Sequence, residues 1–129
     1  MLNKTTLSLI ATAGLLLALS ACGDKAKKMD HAAAALAEYY ASHPFEREWD
    51  VQTIAILDSE NKLVVKVQMN GENDVQRIKL LSRMEQFTVA KLGCPEMSPT
   101  LLDALGGTRV WIELHDAKQE LTSSICPQN

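Results

Sequence analysis

The chain has 129 residues, with 13 lysines and arginines against 16 aspartates and glutamates, so its formal net charge is −3. Hydrophobic residues make up 47% of it. A chain of this length suits one small domain with one core and leaves no room for a second. A mildly acidic chain is a poor candidate for nucleic-acid binding, because phosphate backbones are bound by clustered lysine and arginine.

The first 21 residues have the pattern of an export signal. Lys4 supplies a positive start, residues 7–19 form an apolar run, and small residues lead up to Cys22. The run is too short and wrongly flanked for a stable membrane-spanning helix. Its ending, Leu19-Ser20-Ala21-Cys22, resembles the lipobox of bacterial lipoproteins, in which the cysteine thiol is lipidated and the chain is cut before it. The alternative is an ordinary secretory signal with an incidental cysteine.

The three cysteines of the chain have two different predicted roles. If Cys22 carries a lipid, Cys94 and Cys126 remain as a pair in an exported domain, where disulfides persist. Neither belongs to a C-x-x-C pair, so redox or zinc chemistry has little support. We predict a signal peptide over residues 1–21, a lipid-anchored tether over 22–29, and one domain over 30–129 closed by a Cys94–Cys126 disulfide.

The first half of the domain predicts a helix followed by a hairpin. Asp30 can cap a helix over residues 31–42, in which larger side chains recur at three- and four-residue spacings and which Pro44 ends. Residues 62–70 alternate apolar and polar side chains, as a strand does, and residues 49–57 carry apolar side chains on both faces, as in a strand that is covered on both sides. A polar turn lies between the two segments.

The segment over residues 74–81 fits two structures. Apolar residues at 75, 78 and 81 would form a helical stripe, whereas those at 78 and 80 alternate with basic residues as in a strand. Ser82-Arg83-Met84-Glu85 is a capping box that starts a helix at Arg83. We therefore predict a third strand over 75–80 and a helix over 83–92.

The second half predicts a short helix and a second hairpin. Ser98 can cap a helix near residues 99–105 that Gly106-Gly107 ends, and strands follow over 108–115 and 118–126. The element order is α-β-β-β-α-α-β-β. It predicts an α+β fold with a mainly antiparallel, five-stranded sheet packed with helices.

Catalytic motifs are missing from the sequence. It contains no nucleophile elbow, no phosphate-binding glycine loop, no H-E-x-x-H and no haem-attachment motif. His31, His43 and His115 lie on separate predicted elements, so a metal site would need the fold to bring them together. We expect no metal, no cofactor other than the lipid, and no enzymatic activity. A carboxylate pair that converges in three dimensions stays open as an alternative.

Two groups of apolar residues are candidates for binding a partner. Trp111 stands on the more polar face of its predicted strand, where it is either covered by a helix or lines a partner site, a place where tryptophan is favoured. The short helix near residues 99–105 carries leucines that are either core or one wall of a groove beside the sheet. These are Leu101, Leu102 and Leu105.

The whole pattern resembles the small disulfide-containing α/β pilotin lipoproteins of type II secretion. The residues that carry the similarity are Cys94-Pro95, the Leu101-Leu102 run up to Gly106, the strand over 110–114 with its Asp116 turn, and Cys126. The similarity is mainly topological and covers most of the chain after Cys22. It implies a protein that binds a C-terminal segment of a secretin subunit as a helix in an apolar groove. The lipid would then carry the subunit to the outer membrane, where the secretin assembles.

The expected location is the outer membrane, with the domain facing the periplasm. In enterobacteria an aspartate directly after the lipidated cysteine favours retention in the inner membrane, and here that position holds Gly23. The alternative function is a periplasmic lipoprotein that binds another envelope protein or inhibits an incoming enzyme such as lysozyme.

We expect Cys22→Ser to release the protein from the membrane fraction, because serine lacks the thiol that carries the acyl chains, each CH2 of which contributes about 0.8 kcal/mol to anchoring. Cell fractionation and gel mobility measure the result. Lys27→Gln, a change in the predicted tether, is the control and should leave the protein with the membranes. A Cys22→Ser protein that stays in the membrane pellet with unchanged mobility would show that another feature is the anchor.

Overall fold

A computed structural model describes residues 27–128. The predicted signal peptide, Cys22 and the first part of the tether lie outside the described residues. The helices are α1 over residues 27–42, α2 (Glu72–Leu80), α3 (Arg83–Lys91) and α4 (Pro99–Leu105). The strands are β1 (Trp49–Leu57), β2 (Lys62–Met69), β3 (Arg109–His115) and β4 (Glu120–Ile125). Among the helices of this part of the chain, none is both long and apolar enough to cross a bilayer.

The four strands form one mixed sheet in the order β1-β2-β3-β4. The outer pairs are antiparallel, whereas β2 and β3 run parallel with Leu63 opposite Val110. A parallel pair needs a crossover connection, and α2, α3 and α4 supply it. The α+β class is therefore confirmed, while the prediction of five strands in a mainly antiparallel sheet is wrong.

The error lies in residues 75–80, which form most of helix α2 rather than a third strand. Val75 and Ile78, three residues apart, are buried together, while Leu80 is 88% exposed. A strand would have placed Ile78 and Leu80 on the same face. Acidic residues in the first turn of α2 and basic residues in its last turn complement the helix dipole, and they were the local signal for a helix.

Helix α1 also begins earlier than predicted. Residues 27–30 are already helical, although 27–29 were expected to belong to the tether. The reason is Met29, which is 3% exposed and packs into the core with Ala32 and Leu36, one and two turns further on. Burial of this side chain extends the helix towards the predicted anchor.

The core lies between one face of the sheet and the helices. The sheet contributes alternate residues of β2 and β3, and the helices contribute Leu36, Ile78, Ala90, Leu101 and Leu105 to the same cluster. Because side chains alternate along a strand, the intervening residues, among them Val64 and Trp111, point to the opposite face. The buried side chains of the helices all belong to this core, so within residues 27–128 no helix packs on the second face of the sheet.

The predicted disulfide between Cys94 and Cys126 is confirmed. It joins the loop after α3 to the residue after β4, with the two Cα atoms 5.6 Å apart. The backbone N–H of Cys126 also donates to the carbonyl of Val110 at 2.8 Å, so the C-terminal cysteine is held by β3. The bridge therefore ties the end of α3 to the sheet on which it packs.

Replacing both cysteines, Cys94→Ser with Cys126→Ser, should lower the free energy of unfolding by about 3–4 kcal/mol, because the bridge closes a loop whose ends are 32 residues apart. Urea denaturation of the oxidised protein and of the variant measures the difference. Reduced wild-type protein is the control and should unfold at the same urea concentration as the variant. Thiol labelling that finds both cysteines free in unfolded, unreduced protein would contradict the assignment.

Candidate functional site

An open groove of about 520 Å³ lies between the C-terminal half of α1 and strand β1. Its apolar lining comes from the helix, from the loop after it and from the strand: Ala37, Tyr40, Ala41, Pro44, Phe45, Trp49, Val51 and Ile54. Polar residues of β1 and of the loop complete it. It is a mostly apolar concavity of the size in which proteins hold ligands or partner side chains.

Three aromatic rings close the groove where α1 ends. Pro44 stops the helix, and the chain turns so that the ring of Phe45 lies 5.7 Å from that of Tyr40 and 5.6 Å from that of Trp49. Tyr40 and Trp49 are 8% and 4% exposed. The hydroxyl of Tyr40 donates to the carbonyl of Gly93 at 2.7 Å, which fixes this wall to the segment beside the disulfide.

Strand β1 forms the opposite side of the groove and is one edge of the sheet. Its pairing with β2 shifts between Val51 and Thr53, so that Gln52 is an extra residue in the ladder. This bulge lets Val51 and Ile54 lie opposite Val67 and Val65 and face the same side, although they are three residues apart. The strand therefore presents two apolar side chains to the groove.

Charged side chains stand at the rim of the groove. The guanidinium of Arg47 lies 5.3 Å from the centre of the Trp49 ring, and the carboxylate of Asp50 accepts from the Asn70 side-chain amide at 2.7 Å. Both charged residues are exposed. An apolar floor with a polar, charged rim is the arrangement found at protein–protein contacts.

The leucines of α4 do not line this groove. Leu101 and Leu105 are 6% and 1% exposed and belong to the core, which was one of the two roles that the sequence allowed for these leucines. Leu102 is half-buried. Leu101 and Leu105 lie four residues apart on the side of α4 that faces the sheet. Helix α4 packs on the sheet through these two side chains. A groove between the sheet and α4 that includes Trp111 is not formed, because Trp111 lies on the other face of the sheet.

Trp111 is half-buried on that second face, beside Val64 and Ile125. Instead of a helix, the side chain of Lys62 lies over it, with the ammonium 4.6 Å from the ring centre. The indole N–H has no hydrogen-bond partner among the described residues. The structure therefore separates the sequence-predicted binding residues into core leucines and one tryptophan on the opposite surface.

The histidines are also kept apart. His43 stacks on Tyr39 at 4.3 Å, and His115 lies 3.0 Å from the carboxylate of Glu113. Within residues 27–128 no three His, Cys, Asp or Glu side chains converge in a way that would hold a metal ion.

Tyr40 gives this site a pH-dependent stability. Its burial, helped by the neighbouring Tyr39, raises the pKa of the Tyr40 phenol well above its usual value of about 10. Above that pH the unfolded chain loses a proton that the folded chain keeps, so stability falls with rising pH by up to about 1.4 kcal/mol per pH unit. Below that pH this contribution to stability is fully present.

We expect Tyr40→Phe to lower the free energy of unfolding at pH 7 by about 1–3 kcal/mol, since the Gly93 carbonyl loses its donor. The variant should also lose stability less steeply than the wild type above pH 10. Urea denaturation between pH 7 and pH 11 measures both effects. The control is Ser82→Ala, which removes the hydroxyl that accepts from the Glu85 N–H at 3.3 Å and leaves both phenols in place, so it should keep the wild-type slope. Equal slopes for Tyr40→Phe and wild type would contradict this account.

The chain matches no protein-family model, no curated protein and no solved structure closely enough to indicate a relative. Its function is therefore inferred from the groove, from the signal pattern and from the order of its elements.

Proposed function

We propose that this protein is a lipid-anchored pilotin, which binds a C-terminal helix of secretin subunits in the groove between α1 and β1. The lipid on Cys22 then carries the subunits to the outer membrane for secretin assembly in type II secretion. The observation that supports the proposal most is the groove itself, which combines apolar walls, an aromatic end and a charged rim. The proposal includes no catalytic step, no metal and no cofactor other than the lipid.

The side of α1 that lines the groove suits a partner helix. Ala37 and Ala41 are exposed and lie one turn apart on α1. Because both side chains are small, a second helix can approach to the short end of the usual distance of about 8–10 Å between axes. Larger apolar side chains of the partner, spaced by three or four residues, would then reach Phe45 and Ile54.

The charges at the rim give the bound helix a direction. Arg47 and Asp50 lie on the strand side of the groove and carry opposite charges. A partner helix with an acidic residue near Arg47 and a basic residue near Asp50 would be favoured over the reversed orientation.

The position of the groove fits a carrier. It lies at the end of α1 that is further from Cys22, and the 16 helical residues of α1 over 27–42 rise by about 24 Å at 1.5 Å per residue. The groove therefore lies at the end of the described part of α1 that is further along the chain from Cys22. A protein held at the membrane surface by its lipid would keep the groove accessible to a partner in the periplasm.

We expect Ala41→Glu to weaken binding of a secretin peptide by roughly tenfold or more, because it places a longer, charged side chain where the apolar face of the partner helix would pack. The measurement is calorimetry with a synthetic peptide of the C-terminal segment of the secretin from the same organism. Wild-type affinity near micromolar is expected, because a peptide that folds on docking gives up about 2–5 kcal/mol in ordering.

The matched control is Ala55→Glu. Ala55 is also an exposed alanine, but it lies on the face of β1 that points away from the groove, opposite Val64. It should bind the peptide as the wild type does. Failure of the wild type to bind the peptide, or equal loss in both variants, would contradict the proposed site.

A further inference from the structure

A second surface lies at the end of the strands furthest from the groove's aromatic wall. Here β1 ends, β2 and β3 begin, and β4 ends, with Leu57 opposite Lys62, Lys62 opposite Arg109, and Trp111 opposite Ile125. Lys91, at the end of α3, borders the same depression as Arg109 and Ile125. We call this surface the basic corner and define it by Leu57, Lys62, Lys91, Arg109, Trp111 and Ile125.

The basic corner combines positive charge with exposed apolar area. The guanidinium of Arg109 donates to the backbone carbonyl of Glu60 at 3.2 Å. Lys91 and Arg109 are exposed, and within residues 27–128 neither forms an ion pair. Leu57 is 39% exposed and Ile125 is 38% exposed. The neighbouring turn carries two carboxylates, Asp58 and Glu60, of which Glu60 is paired with Lys62 at 3.0 Å.

Charge is distributed unevenly along the sheet. At the opposite end of the strands carboxylates predominate, among them Asp50, Glu72 and Asp116. A chain with an acidic total thus has one end that attracts anions and one that repels them.

The basic corner also lies where the chain leaves for its anchor. The side chain of Lys28 approaches Gly106, and the sulfur of Met29 accepts from the Thr108 hydroxyl at 3.5 Å, directly before Arg109. Cys22 lies five residues before Lys27, and five extended residues span at most about 18 Å. A membrane in which Cys22 is anchored is therefore at most about 18 Å from Lys27, and so close to the basic corner.

We propose that the basic corner docks on the anionic phospholipid headgroups of the membrane in which Cys22 is anchored. Lys91 and Arg109 contact phosphate groups, and Trp111, Leu57 and Ile125 lie at the level of the interface, which tryptophan favours. Docking orients the domain so that the groove points away from the membrane. The inference rests on the lipid anchor of the proposed function and is independent of what the groove binds.

A second copy of the chain is a poorer occupant of this surface. In a twofold dimer the same patch meets itself, so Lys91 and Arg109 of both copies would be brought together. A surface of anionic headgroups supplies the opposite charge in any orientation.

The chain has two tryptophans, so quenching of tryptophan fluorescence by the membrane can test the proposal. Trp111 lies in the basic corner, whereas Trp49 is 4% exposed at the other end of the sheet. The chain from Cys22 onward, without the predicted signal peptide, is coupled through the Cys22 thiol to a maleimide phospholipid in vesicles whose lipids carry brominated acyl chains. Bromine should quench tryptophan fluorescence in vesicles that contain phosphatidylglycerol, and much less in vesicles of phosphatidylcholine alone. High salt should reverse the quenching, and Trp111→Phe should abolish it.

A pair of variants tests the charges. Lys91→Gln with Arg109→Gln should lose about half or more of the quenching, because both cations that face the headgroups are removed. The matched control, Arg83→Gln with Lys118→Gln, removes two exposed charges at the opposite end and should keep the wild-type value. Far-UV circular dichroism spectra that match the wild type show that each variant is folded.

Three results would overturn the inference: no quenching with phosphatidylglycerol, equal quenching in both kinds of vesicle, or equal loss in both pairs of variants. Because the lipid is attached chemically, these results do not depend on whether cells acylate Cys22. Failure of the groove proposal would instead appear in the peptide calorimetry, with the quenching unaffected.

Discussion

The parallel pairing of β2 with β3 is the constraint on which the rest of the structure depends. A hairpin cannot join parallel neighbours, so the chain between Met69 and Arg109 must leave the sheet and return to its other end. It does so as α2, α3 and α4, whose buried side chains pack together with those of α1 on one face. In the part of the chain that the structure describes, the edge at β1 and the opposite face of the sheet carry no packed helix, and they contribute to the groove and the basic corner.

Local signals allowed the sequence to predict the hairpin of β1 and β2 and the helices α3 and α4. Ser82 and Ser98 accept from backbone N–H groups three residues later, as their spacing indicated, and Gly106 ends α4 in the left-handed conformation. Residues 75–80 were mispredicted because alternating and helical patterns overlap in a segment this short. The pairing of β2 with β3 joins residues more than 45 positions apart, and no local pattern specifies whether such neighbours run parallel.

The groove was less accessible to sequence reasoning than the fold. The available signal was alanine at exposed positions such as 37 and 41, where a solvated helix usually has polar residues. The contacts of Phe45 with Tyr40 and Trp49 depend on how the chain turns after Pro44. Leu101 and Leu105 have a spacing that serves a core and a groove equally, and only the packed fold shows that they belong to the core.

The disulfide also has a consequence for the timing of folding. A bond between Cys94 and Cys126 persists in an oxidising compartment and not in a reducing cytoplasm. A small domain has a total stability of about 5–15 kcal/mol, of which one such bond is a large share. In a reducing compartment the chain therefore spends more time unfolded than in an oxidising one. Closure of the bridge then joins the end of α3 to the end of β4 and shifts the equilibrium towards the folded state.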